Sequence, residues 1–467
     1  MIPGNLIIRN THLPFHNPSQ AATLYDVVCE AGVVCGIAEA RGMNKPPDDG
    51  SDVLQAGDID AQGGILLPSL CHAHIHLDKC FLLDTCGDKL VTGDFTEALR
   101  VTAEAKTEFP LNLDDLYDRG RRLILESVES GVTCMRAHVE VDATVAQHCV
   151  RTGLRLKQDL ARLGDVQIAV FAQDPLFPIP TTGDSNYAQM LTAVTLDGVE
   201  VVGSAPYVES STDHAKQNIR FILDLAFKHH LHADFHLDYN LDTSQEPLIW
   251  YLLEELQDRI RTNRWHGDSH VCVGHATRLT LFGNEEWTTF RDTTSTEDAP
   301  LPITLVGLPQ SDLYMMGRNF SPVPRGTLDV VKIKQRHGVD VAMAVNNVGN
   351  AFTPQGPPDP LALCPLGVAV FQAGTSAHAY TSHLSSLLLF AFQPHVPSTN
   401  PTVQHWHPNH DSEPLLPRLG SPADFVLAPK NTSVQSVVTS PSYDRVTIRA
   451  GRIVARRVGV VWNEMTG

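Results

Sequence analysis

Positive charge is what this sequence has least of. Its 35 Lys and Arg stand against 53 Asp and Glu, a net charge of −18. Nucleic acid and anionic membrane favour basic patches, so neither is an expected partner. The balance suits a neutral or cationic small molecule, unless it only serves solubility. Paired cysteines are missing as well. The nine cysteines are scattered with no CxxC pair, which argues against structural disulfides and for a reducing, cytoplasmic setting. Cys71 and Cys80 read as small buried hydrophobes. No apolar run reaches transmembrane length, and residues 384–392 fall short of it. The first thirty residues have neither a basic start nor a long apolar core, so no signal peptide is expected.

What is present points to a folded α/β protein. At 467 residues the chain is long enough for one large catalytic domain and a smaller one. Its 42% hydrophobic and 19% charged content is globular rather than disordered. Both ends read as short strands and turns, at 6–8, 26–30 and 33–37, then at 424–427, 437–438 and 445–455. They predict one composite β-sandwich domain from residues 1–65 plus 416–467. In between, helical periodicity recurs at 116–130, 144–163, 187–197, 214–230, 248–262 and 330–337. An apolar strand follows each, at 131–139 (after the first), 166–173, 199–203, 233–236, 271–275 and 341–346. Pro247 suits a helix start. Such units indicate a parallel sheet, and their number favours a closed (β/α)8 TIM-like barrel over residues 66–415. Residues 283–302, acidic and Thr-rich, and 393–418, rich in Pro and His, read as loops or insertions. His405, His407 and His410 in the second read as solvated rather than as a second metal site, having no helix or strand to fix them.

The chemistry gathers at strand ends. After the apolar stretch Gly64-Ile65-Leu66-Leu67-Pro68 comes His72-Ala73-His74-Ile75-His76-Leu77-Asp78-Lys79. Residues two apart on a strand share a face, so His74 and His76 aim two imidazoles at one point, as a divalent metal requires. His72 is expected on that same face, one step farther back. His76, His138, Gln173, His236, His275 and Asn346 all fall at the C-terminal ends of strands, where barrel enzymes place their chemistry. Of His74, His76, His236 and His275, three can bind one metal as neutral imidazoles and leave a position open for water. The fourth can stabilise developing charge.

These residues and others around them carry a resemblance. The matching pieces are 74–79, Arg136-Ala137-His138-Val139-Glu140-Val141-Asp142, 170–174, 201–206, His236-Leu237-Asp238, Gly274-His275-Ala276-Thr277, Leu308-Pro309, Gly317-Arg318, 338–342, 420–427 and 451–455. Together they resemble the amidohydrolase superfamily, in the branch of cytosine deaminase and N-isopropylammelide aminohydrolase. The resemblance implies metal ligation by His74, His76 and His236, assistance to hydrolysis by His275, and a substrate contact by Gln173. Lys79 matches a lysine of the isopropylaminohydrolase-like members. One divalent metal is implied, Zn2+ ahead of Fe2+, without a carbamylated lysine. Two positions depart from the pattern. Asn346 stands where the family has a metal-binding aspartate that is also the base. Tyr239 stands where cytosine deaminase has a proton-shuttling glutamate. An amide has no useful basicity, and an ordinary tyrosine is a poor base at neutral pH.

The reading is a metal-dependent hydrolase of a C–N bond in a cyclic or amide-like small molecule. In it His275 stabilises the adduct, Gln173 holds the substrate, and Lys79 or Asp238 moves protons. The alternative is an altered or inactive relative that binds a ligand, or catalyses a non-hydrolytic step such as an isomerisation or elimination. His138 reads as packing beside the site, and Asp78 as orienting its neighbours. Lys79 can hold an anionic substrate or pair with a carboxylate. Arg318 can face the pocket mouth as a substrate contact or form a surface ion pair. His229 and His230 suit a helix end. A homo-oligomer is compatible with all of this.

Overall fold

A computed structural model describes residues 4–40, 58–178, 185–295, 300–379 and 415–462. His405, His407 and His410 lie outside the described residues. Two eight-stranded sheets organise the chain. The first is built from both ends: β1 (Leu6–His12), β2 (Leu24–Glu30), β3 (Val33–Glu39), β4 (Ile59–Asp60) and β5 (Ile65–Pro68), with β14 (Phe425–Ala428), β15 (Arg445–Arg449) and β16 (Arg452–Arg457). The second is parallel: β6 (Leu70–His76), β7 (Val132–Glu140), β8 (Asp165–Ala172), β9 (Val199–Ser204), β10 (His232–Leu237), β11 (Val271–His275), β12 (Ile303–Gly307) and β13 (Val341–Met343).

The parallel strands run in sequence order from β6 to β13. Closure is made just past β13. The His76 N–H donates to the Asn346 carbonyl at 2.8 Å, and the Asn346 N–H donates to the His74 carbonyl at 3.1 Å. The result is the expected (β/α)8 barrel. Each strand carries apolar residues on its outer face, packed under amphipathic helices. On the helix Leu113–Glu129, for example, Leu116, Leu123, Ile124 and Val128 are buried in that layer. His230 ends the helix Thr212–His229 in the left-handed region.

The terminal sheet has its own core, with Ile8, Val27, Phe425 and Ile448 among its members. Antiparallel pairing of β5 with β14, Leu67 opposite Val426, joins the two ends of the chain. The sheet is tied to the end of the barrel away from the strand C-termini. Arg449 pairs with Asp165 at 2.6 Å, and the Thr447 hydroxyl donates to the Val128 carbonyl at 2.5 Å.

Some elements differ from the sequence reading. The stretch read as a loop at 283–302 contains the helix Asn284–Thr294. Trp287, Phe290 and Thr294 are spaced three and four apart and form its buried face. Val437 and Val438 belong to a short helix, Val434–Thr439, rather than a strand, with Ser433 capping it. Strand β12 and the helix Phe95–Lys106 were not anticipated. No helix among the described residues is long and apolar enough to cross a membrane.

Phe290 is fully buried, which makes it the test of the helix missed at 284–294. Phe290→Ala is expected to cost about 3–5 kcal/mol of stability, read from the urea unfolding midpoint. A loss under about 1 kcal/mol would mean that this helix is not packed on the barrel.

Candidate active site

The alternation expected of β6 breaks within the histidine run. Its pairing with β7 slips between His72 and Ile75. His72 therefore points outward, with Nε2 3.0 Å from Ser127 Oγ on the helix Leu113–Glu129. It does not share a face with His74 and His76, because the irregularity adds a residue to that stretch of strand. His74 and His76 turn into the barrel.

Four imidazoles gather there. Nε2 of His74 and Nε2 of His236 are 2.9 Å apart. The His76 ring is centred 5.4 Å from His74 and 5.2 Å from His236, and His275 lies 5.1 Å from His236. Burial holds the pKa of His74, His76 and His236 well below the usual histidine value, and neighbouring imidazoles add to the effect. All three are thus neutral, the state in which imidazole binds metal. Gly274 makes the room, since a Cβ there would sit 3.1 Å from His74 Cε1.

Beneath the imidazoles lies a buried ion pair. Arg136 donates to Asp234 at 3.0 Å, and both side chains are fully buried. Arg136 also donates to Gln167 at 2.7 Å. The other Asp234 oxygen is 3.2 Å from His138 Nε2 and 3.8 Å from His74 Nδ1. His138 thus sits between the pair and the site, its ring 3.9 Å from that of His74.

His275 and Asn346 border the pocket from left-handed backbone, with φ of 67° and 69°. Such strain in non-glycine residues is concentrated at functional sites. His275 Nδ1 is 2.7 Å from Asp312 Oδ1. The second Asp312 oxygen accepts from the Thr327 hydroxyl at 2.8 Å and the Leu308 N–H at 3.2 Å. The Tyr239 ring lies over His275 at 3.8 Å. Burial raises the Tyr239 phenol well above its usual pKa, so it keeps its proton. Asn346 donates through Nδ2 to Ser311 Oγ at 2.7 Å. Its Oδ1 is buried without a hydrogen-bond partner among the described residues.

Lys79 lines the same pocket. It donates to Glu140 at 3.0 Å and to Gln173 Oε1 at 3.4 Å. Asp78, its neighbour, accepts the Glu140 N–H at 2.5 Å. Glu140 also pairs with Lys106 at 2.7 Å, and Lys106 reaches Asp142 at 2.5 Å and Asp174 at 2.9 Å. Burial works to raise the Glu140 pKa, but Lys106 and Lys79 bring it down to about 2. Burial likewise opposes charge on Lys106, and its three carboxylates more than reverse this. Gln173 in turn donates to the Tyr207 hydroxyl at 3.1 Å.

Asp238 and Arg318 stand apart from the pocket lining. The Asp238 carboxylate accepts the N–H groups of Leu248 at 2.8 Å and Ile249 at 2.9 Å, at the start of the helix Leu248–Arg261. Burial pushes its pKa up to about 6 against those two bonds. Arg318 is exposed, donates to the Thr92 carbonyl at 3.3 Å and stacks over Tyr314.

The pocket opens at the C-terminal mouth of the barrel, with about 270 Å³ of empty space that includes open solvent. His76, His236, His275, Lys79, Gln173, Tyr239 and Asn346 line it, as do Phe95, Tyr207, Ser311, Asn347 and Phe352. Glu140 and Asp234 were within reach of the sequence, each two residues from a strand histidine and so on its face. Asp312 and Ser311 were not, because they follow the unrecognised β12. Among the described residues, two groups of potential metal donors lie within 4.8 Å of one another: His74, His138, Asp234 and His236, and His76, Asp78 and Glu140. Arg136 already occupies Asp234, and two lysines occupy Glu140.

With this geometry in hand, comparison with known proteins is informative. No protein-family model matches the chain. The chain is 27% identical over 279 residues to N-isopropylammelide isopropyl amidohydrolase of Pseudomonas sp. (strain ADP). That match covers 58% of this chain and spans 61% of the relative's length. Among solved structures it resembles 5-methylcytosine deaminase from Klebsiella pneumoniae, with a TM-score of 0.78 and 20% identity over 98% of this chain and 100% of that one. It also resembles N-isopropylammelide isopropylaminohydrolase from Burkholderia multivorans, with a TM-score of 0.70 and 18% identity over 97% of this chain and 98% of that one. At these identities the structural likeness is one of fold. Barrel, histidine pattern and sequence relative together support a likeness to the amidohydrolase superfamily.

Asp238 offers a separable test. If its carboxylate serves as a helix cap, Asp238→Ala lowers stability by about 1 kcal/mol in urea unfolding while metal content stays at the wild-type level. Unchanged stability would reopen a proton-transfer role for this residue.

Proposed function

We propose that the protein is a metal-dependent hydrolase of a C–N bond in a cyclic small molecule. The observation that carries this reading is the convergence of neutral imidazoles on a pocket at the barrel mouth. The names of the relatives, an isopropylammelide hydrolase and a 5-methylcytosine deaminase, support it.

The donor set fits a divalent ion. Two imidazole nitrogens at 2.9 Å, both on neutral rings, face each other with at most one proton between them. The buried Asn346 Oδ1 lacks a partner among the described residues. His74, His76 and His236 would hold the ion, with Asn346 as a neutral oxygen donor. An all-histidine set favours zinc ahead of iron. Such an ion supplies Lewis acidity, which acidifies water at neutral pH and polarises the bond under attack.

The remaining work falls to this chain's side chains. Asp312 engages His275 Nδ1, which leaves Nε2 free to accept a proton on the pocket side, as in other His–Asp pairs. Tyr239, held protonated, serves as a donor and fixes the His275 ring by stacking. Asn346 cannot take a proton, so the base role passes to His275. Lys79 and Gln173 hold the substrate at the opposite wall. Asp238 is left to the helix. The filled set of pocket groups favours turnover over a ligand-binding or non-hydrolytic barrel. All nine cysteines are free, which supports the cytoplasmic placement.

Two measurements test the reading. Purified protein is expected to carry about one zinc per chain, with His236→Ala losing it. A panel of pyrimidines, triazines and lactams is then assayed for release of ammonia or amine, and bound metal without turnover on any ring counts against hydrolysis. On a compound that is turned over, His275→Asn is expected to lower kcat by about 10²- to 10⁴-fold with metal content unchanged. A smaller effect would move the base elsewhere.

A further inference from the structure

The acidic composition suits a neutral or cationic ligand, yet the pocket has the opposite chemistry. No carboxylate lines it. Asp238 is turned to a helix end and Asp312 to His275. On the wall opposite the imidazoles the polar groups Lys79, Asn347 and Tyr207 present donors, and their orientation can be traced. Asn350 Oδ1 accepts the N–H of Phe352 at 3.0 Å and of Thr353 at 3.1 Å. Its amide nitrogen therefore donates, to Asn347 Oδ1 at 2.8 Å and to the Lys79 carbonyl at 3.1 Å. With its oxygen engaged, Asn347 has its NH2 left for the pocket. Gln173 gives its oxygen to Lys79 and its NH2 to Tyr207. The Tyr207 hydroxyl, already accepting, has its proton left to give. Lys79 shares its carboxylate partner, Glu140, with Lys106.

An aromatic wall completes the pocket. The Phe95 ring lies 5.5 Å from Tyr239, 5.9 Å from Phe352 and 6.2 Å from Tyr207. At such spacing and tilt the rings pack against one another and form one aromatic wall, against which a flat ligand can lie. Lys79, paired with Glu140 behind the lining, Asn347 and the Tyr207 hydroxyl present donors to the pocket, and such donors bind a ligand's charged oxygen more strongly than a neutral one.

We infer that the substrate is a flat heterocyclic anion, its ring against this aromatic wall and its charged oxygen met by Lys79, Asn347 and the Tyr207 hydroxyl. The inference rests on the hydrolase reading and narrows its substrate. Lys79 and Asn347 set the preference for negative charge.

Calorimetric titration of the zinc-loaded full chain with barbiturate, an anion at neutral pH, and with uracil, a neutral ring of similar outline, tests this. Barbiturate is expected to bind at least about tenfold more tightly. Lys79→Met is expected to erase that ratio. So is Asn347→Asp, which adds a carboxylate to the pocket and keeps the ion network of Lys79 intact should Lys79→Met fail to fold. Equal affinities, no binding of either ring, or a ratio that survives substitution overturns the inference. Zinc content of the same samples separates the two ideas. Zinc bound without an anion preference defeats this inference alone, whereas chains that take up no zinc defeat the hydrolase reading, and titration without zinc still reads the ratio.

Discussion

The pairing of Arg136 with Asp234 is the contact on which the site stands. It joins β7 to β10 across the inside of the barrel, where neither side chain reaches solvent. Two charges buried this way are tolerated only when each is matched and hydrogen-bonded. Arg136 has Asp234 and Gln167, and Asp234 has Arg136 with His138 alongside. The pair does more than link strands. It places a fixed carboxylate under His74 and His138, so the floor beneath the imidazoles is anionic but already neutralised. His74 above it remains neutral. A floor with an unmatched carboxylate would draw a proton onto one imidazole and remove it as a metal donor.

A second ionic assembly governs the opposite wall. Glu140 lies between Lys79 and Lys106, and Lys106 lies between Glu140, Asp142 and Asp174. Lys106 ends the helix Phe95–Lys106, whose first residue, Phe95, lines the pocket. The network therefore fixes two things together, the height of Lys79 and the position of an aromatic wall. Such coupling follows from burial. Once Lys106 is desolvated it must keep its carboxylates, and the helix cannot shift without separating them.

Much of the site was legible because strand periodicity is strict. His74, His76, His236 and His275 could be assigned to strand ends from apolar runs alone, and Asn346 from the last of them. Legibility failed where periodicity did. The irregularity between His72 and Ile75 turned His72 to the helices, which no pattern of alternation could show. Asp312 stayed hidden because it follows β12, which comes after a stretch whose Thr and Asp content masked a helix. Its real signal was Trp287, Phe290 and Thr294, three residues among many polar ones. The partner that makes Asp238 a helix cap lies ten residues on, across a loop. A carboxylate two residues after a strand-end histidine looks the same in sequence whether it faces the pocket or the helix.

The amide at Asn346 is best understood through its backbone. This residue closes the barrel, accepting from His76 and donating to His74 through its main chain. It does so at positive φ, a conformation that asparagine tolerates better than most residues. Its side chain then splits its two ends. The NH2 donates to Ser311, whose oxygen is 2.6 Å from the Thr353 hydroxyl, and the oxygen is left buried and free. A carboxylate has two acceptors and no such division of labour. It would also add a negative charge to a pocket that otherwise has none. With the amide in place, the lining beside the imidazoles holds no carboxylate among the described residues. An amide has no useful basicity, and His275, with Nδ1 on Asp312, is the imidazole that borders the same pocket.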